Sequence, residues 1–111
     1  MSVRRMAMII AIRPEKIALY KELHAHPWPE MNAALSAANI RNYSIYLREP
    51  ENLLFGYWEY AGSDFEGDRQ KLGQLAISKK WRELTAPCQQ PLESAAEGEW
   101  WSAMPEVYHL D

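Results

Sequence analysis

Cysteine is nearly missing from this chain of 111 residues: Cys88 is the only one. That excludes an intramolecular disulfide and a multi-cysteine zinc site, and it makes a reducing compartment the expectation. An excess of positive charge is missing too. Twelve Lys and Arg stand against fifteen Asp and Glu, for a net charge of −3, which argues against a broad phosphate-binding surface and so against nucleic acid as a partner. Glycine is sparse, at five, and there is no Gly-rich phosphate loop, nucleophile elbow or His-Glu-x-x-His. No apolar run is long enough to cross a bilayer.

The nearest approach to such a run is Met6 to Ile12, preceded by Arg4-Arg5. It imitates the charged and apolar regions of a signal peptide, but it ends at Arg13-Pro14 with no small-residue cleavage site. It reads as a buried strand, and a cytoplasmic protein with no membrane partner is expected. What the chain has in plenty is large amphipathic aromatics: five Trp and six Tyr. Such side chains join an apolar body to a polar tip, so they gather at pockets and subunit contacts as well as in cores.

At this length one domain over residues 1–111 is expected. Arg4 to Arg13 is apolar on both faces, which predicts a strand covered on both sides. Pro14 and Glu15 suit a helix start, and a helix follows to about Ala25 before Pro27 and Pro29 interrupt it. A second helix runs from Pro29 to about Asn39. Ile40 to Arg48 and Leu53 to Tyr60 read as an antiparallel hairpin around Glu49-Pro50-Glu51-Asn52. Ser63-x-x-Glu66 has the spacing of a capping box and opens a helical region, and another helix covers Ile77 to Thr85. Pro91 to Met104 reads as loop, and Glu106 to Leu110 as a last short strand. Four strands with helices packed on one face make an α+β fold of the ferredoxin-like type.

The chemistry concentrates in Tyr20-Lys-Glu-Leu-His24-Ala-His26-Pro-Trp28-Pro29-Glu30. Tyr20 and His24 stand four apart, so on a helix they share a face. An imidazole, with an ordinary pKa of about 6.5, gives and accepts protons near neutrality. The bland alternatives are a helix-end histidine bonded to a carbonyl and a tyrosine packed into the core. His26 competes with His24, and His24-x-His26 lacks a third metal ligand nearby, so no metal is expected.

These residues, in order with Asn42-Tyr43-Ser44-Ile45-Tyr46-Leu47, Asn52-Leu53-Leu54-Phe55, Lys80-Trp81 and Glu106-Val107-Tyr108-His109-Leu110, resemble the L-rhamnose mutarotase family from about Arg4 to Leu110. The resemblance implies a dimeric α/β barrel, hence a homodimer, and a cofactor-free isomerase. Such an enzyme interconverts the α and β anomers of a 6-deoxy monosaccharide, L-rhamnose first and L-fucose as a variant. It implies His24 as the acid/base and Tyr20, Tyr43 and Trp81 as substrate-binding residues. The family's tryptophan pair is broken, since Lys80 stands where the first belongs, and Trp100-Trp101 offer themselves as replacements from another direction. Two other readings stay open: a cofactor-independent monooxygenase of the dimeric α/β-barrel type, and a sugar-binding protein without catalysis.

Overall fold

The computed structural model describes residues 3–111. Strand β1 (Arg4–Ile12) leads through a 3-10 turn at Pro14–Lys16 into helix α1 (Ile17–Ala25), and helix α2 (Pro29–Ala37) follows directly. Pro29 occupies the first turn of α2, where its missing N–H leaves no helical bond unmade. Strands β2 (Ile40–Arg48) and β3 (Leu53–Tyr60) come next, then helices α3 (Phe65–Gln74) and α4 (Ala76–Thr85) and a 3-10 turn at Ala86–Cys88. Two short strands close the order: β4 (Gln89–Gln90) and β5 (Ser102–Met104).

The sheet is antiparallel in the order β2-β3-β1, and both β4 and β5 pair with the remaining edge of β1. This is the ferredoxin-like α+β architecture of the α/β-barrel class. One face carries Ile10 and Ile12 from β1, Leu54 and Gly56 from β3, and Ile45 and Leu47 from β2, by the registers Ile10↔Leu54↔Leu47 and Met8↔Gly56↔Ile45. On that face Ile10, Ile12, Leu54 and Cys88 close around Tyr20 of α1 to form the core. Full burial of each aliphatic side chain stabilises the fold by about 1.5–3 kcal/mol.

Four sequence expectations need correction. Glu106 to Leu110 forms no strand. The free edge of β1 at Ala7–Ile9 is taken by Ser102–Met104, in the stretch read as loop, and Pro105, lacking an N–H, ends the ladder there. The capping residue of α3 is Asp64 rather than Ser63: its carboxylate accepts from the Gly67 N–H at 3.1 Å, an anion being favoured at the positive end of a helix. Finally, β1 is covered on one face only. The other face, with Ala7, Ile9, Phe55 and Tyr57, has no helix over it among the described residues, and Tyr46 on the edge strand β2 is 66% exposed.

Strands β4 and β5 behave as one interrupted edge strand. Ala11 faces Gln90, so an unbroken antiparallel ladder would put Ser94 opposite Ala7; Met104 is there instead, and ten residues are looped out. Glu99 ties the base of that excursion, accepting from the Ala96 N–H at 2.9 Å and the Ala103 N–H at 3.2 Å. Those two backbone bonds also hold its carboxyl below the usual range.

Candidate active site

The helix-covered side of the sheet opens into a cavity of about 470 Å³, within the size of small-ligand sites. Each wall comes from a different element. Helix α1 supplies Tyr20 and His24, strand β2 supplies Tyr43 and Ile45, helix α4 supplies Trp81, and the looped-out segment supplies Trp100 and Trp101. All four residues singled out from sequence therefore line one cavity.

Their spacing explains the convergence. Tyr20 and His24 sit one turn apart on α1, with ring centroids 4.3 Å apart. His24 Nδ1 lies 2.8 Å from the Tyr20 carbonyl oxygen. A carbonyl only accepts, so Nδ1 carries the proton in the neutral ring and Nε2 keeps the lone pair. Trp81 stands edge-on to His24 at 5.2 Å and is itself braced by Trp28 at 5.0 Å, also edge-on.

Tyr43 reaches the cavity beside a bulge. Arg41 pairs with Glu59 and Ser44 with Tyr57, so Asn42 and Tyr43 together oppose Trp58. Asn42 takes the left-handed conformation, φ 50°, and its side-chain amide donates to Glu59 at 2.8 Å. Such a bulge bends the strand and re-aims its side chains. Tyr43 is 40% exposed as a whole residue, yet loss of solvent raises the pKa of its phenol. A phenol shifted upward is protonated at neutral pH.

Tyr20 is buried, and that burial pushes its pKa up to about 12 despite the hydrogen bond it receives from Gln89. It is a neutral phenol in any ordinary buffer. The Gln89 amide nitrogen donates to the Tyr20 hydroxyl at 3.1 Å, and the Trp100 indole N–H donates to the Gln89 amide oxygen at 2.8 Å. Sequence reasoning missed Gln89. A two-residue strand after Pro87 carries no periodicity from which to find it. Arg82, also lining the cavity and donating to the Gly73 carbonyl at 3.0 Å, was missed as well.

The remaining candidates lie elsewhere. His26 is exposed beside Glu22, 3.1 Å away, and His109 stands near Glu106 and Asp111 on the uncovered side. Lys80 is exposed and is not among the lining residues, so its ammonium does not replace an aromatic wall. The Cys88 thiol is wholly buried in the core, which raises its pKa. Among the described residues no three His, Cys, Asp or Glu side chains are grouped to hold a metal ion, and no helix is long and apolar enough to cross a membrane. The lining offers one imidazole, one guanidinium, two phenols and no carboxylate. Its one imidazole, His24, stands among aromatic walls.

A sequence profile of the family described as L-rhamnose mutarotase matches residues 5–110. The chain is 34% identical over 110 residues to the L-rhamnose mutarotase of Bacteroides thetaiotaomicron, covering 97% of this chain and 99% of that one. Its fold resembles the crystal structure of an L-rhamnose mutarotase from Formosa agariphila, with a TM-score of 0.75 at 24% identity over 97% of this chain and 99% of the other. A proposed antibiotic biosynthesis monooxygenase from Bordetella bronchiseptica shares the fold, with a TM-score of 0.65 at 14% identity over 99% and 100% of the two chains. At that identity the likeness is one of architecture alone.

Proposed function

The chain belongs to the L-rhamnose mutarotase family, and from that premise we propose that it is an isomerase interconverting the α and β anomers of L-rhamnose, with His24 as the proton shuttle. Opening a pyranose requires a proton to leave the anomeric hydroxyl and another to reach the ring oxygen; reclosure on the other carbonyl face gives the other anomer. Only protons move, so the chemistry calls for no cofactor. The observation that carries the reading is the fixed tautomer of His24: with Nδ1 held by the Tyr20 carbonyl, Nε2 is left as the base.

Its neighbours complete the roles. Tyr20 and Tyr43, both neutral phenols, orient sugar oxygens. Trp81, Trp100 and Trp101 give apolar faces that suit the C–H surface of a 6-deoxy sugar. L-fucose differs only in where its hydroxyls point, and it serves as the comparison substrate. The monooxygenase alternative has only shared architecture behind it.

The test is anomer exchange on L-rhamnose and L-fucose by NMR saturation transfer, with the wild type and His24→Ala. Acceleration lost in the variant is the expected result, with the larger effect on L-rhamnose. An unaccelerated L-rhamnose exchange by folded wild-type protein sinks the assignment. Sugar binding that survives in His24→Ala, with no wild-type rate to lose, would point to a binding protein instead.

We further read the protein as a cytoplasmic homodimer. The face of β1 and β3 without helices is apolar, and Tyr46 and Phe55 face each other across it. A second copy packed there would account for a β1 that is apolar on both sides.

A further inference from the structure

We propose that Gln89 is a positioning residue that sets the direction of the Tyr20 hydrogen bond, so that the Tyr20 proton is committed to an acceptor oxygen of the substrate. The argument runs through donors and acceptors. An indole N–H can only donate, so the Trp100 contact at 2.8 Å fixes which end of the Gln89 side chain is oxygen. The NH2 end is then the one that faces Tyr20, at 3.1 Å. A phenol bonded this way has accepted on one side of its C–O bond, and its own proton lies on the other side, in the ring plane. Tyr20 and Gln89 both line the cavity, and no acceptor for that proton is found on the protein among the described residues.

The consequence is a chemical division inside one site. His24 presents a lone pair, whereas Tyr20 presents a proton. The ring oxygen of a pyranose is an acceptor only, so Tyr20 is matched to it and His24 to the anomeric hydroxyl. Trp100 thereby affects the site in two ways, through its apolar face and through the amide it clamps. Gln89 itself is buried, and a buried amide with both ends bonded keeps one orientation.

The substitution Gln89→Glu reverses the relay. A carboxylate accepts from Tyr20 and turns the hydroxyl proton away from the cavity, whereas a protonated Glu can again donate to it. The anomer-exchange rate of Gln89→Glu is expected to fall about tenfold or more at pH 8, and its ratio to the wild-type rate to rise as pH is lowered toward 5. Gln89→Met, which fills the space without polar atoms, should show a smaller loss and a ratio that does not move with pH. Equal losses in both variants with the wild-type pH profile would overturn the proposal and leave Gln89 a packing residue.

The activity arm rests on the mutarotase reading, so a second arm needs no sugar. In 1H–15N spectra of the wild type, the Gln89 side-chain amide should shift in both Tyr20→Phe and Trp100→Phe. An amide signal indifferent to both substitutions refutes the relay, even where Gln89→Glu fails to fold. Shifts as expected without any sugar turnover would leave the relay standing and remove the functional reading instead.

Discussion

The ring of Trp101 lies against the backbone of Gly56: a β-carbon built on that glycine would stand 3.4 Å from Cζ3 of the indole and 3.2 Å from Cγ of Met8. Gly56 sits mid-strand in β3, opposite Met8 on one side and Ile45 on the other. A strand interior normally disfavours glycine. Here the missing side chain is what lets the looped-out segment bring the Trp101 indole against the sheet, where it lines the cavity.

Replacing Gly56 with valine therefore tests whether that indole is fixed. Overpacking of this kind costs about 1–3 kcal/mol, and for a domain of this size each kcal/mol lowers Tm by about 4–8 °C. The displaced indole should also raise KM for the sugar more than it lowers kcat. A thermal melt and a tryptophan emission spectrum identical to wild type would show that Trp101 has room to spare.

The bulge at Asn42 makes a second prediction. Valine at a left-handed position is strained by about 1–3 kcal/mol, so Asn42→Val should lose stability of that order in urea unfolding. Asn42→Gly should stay close to wild type, because glycine accepts φ 50° freely and gives up only an exposed hydrogen bond to Glu59. Equal stability of the valine and glycine variants would mean that the conformation at Asn42 costs a valine nothing.

How much of this was legible in advance follows from where periodicity exists. Strands β2 and β3 were readable to their ends because each is eight or nine residues long and the turn residues Glu49-Pro50-Glu51-Asn52 separate them. The Tyr20–His24 pair was readable because a helix turn fixes what i and i+4 share. Strands β4 and β5 were not, being two and three residues long and owing their existence to a free edge on β1 about eighty to a hundred residues away. Gln89 was invisible for the same reason. The two tryptophans at 100 and 101 signalled a site or contact by their type, but only the ten-residue excursion brings them to the cavity that Trp81 also lines. Lys80 shows the converse: a departure from the family's pattern in sequence that lies outside the cavity lining.

Burial of Tyr20 makes a prediction at alkaline pH. A phenol whose pKa rises from 10 when unfolded to about 12 when folded favours the folded state fully below pH 10, and that contribution is lost as pH climbs through 12. The desolvated hydroxyl is the main cause, and the Gln89 bond opposes it. Tyr43, Tyr57 and Tyr60 shift in the same direction, so wild type alone cannot isolate the effect. The difference in unfolding free energy between wild type and Tyr20→Phe should be flat up to pH 10. It should then move against the wild type by up to about 2–3 kcal/mol toward pH 12. A difference that stays level across the whole range would show that Tyr20 ionises as readily folded as unfolded.

The uncovered face of the sheet makes the last prediction. Tyr46 and Phe55 pair directly across β2 and β3 on the side without helices, while Ile45 and Leu47 on the same strand face the core. A charge placed at Tyr46 leaves the chain's own core untouched but puts an unpaired carboxylate into whatever packs on that face, at a cost of several kcal/mol. Light scattering behind size exclusion should give the wild type twice the mass of one chain and Tyr46→Asp the mass of one. Circular dichroism should be shared by both, because Tyr46 is two-thirds exposed within a single chain. A wild type that runs as one chain at every concentration would leave that apolar face in water and remove the case for a homodimer. A dimer untouched by Tyr46→Asp would place the contact elsewhere, with the exposed Val107, Tyr108 and Leu110 as the next surface to charge.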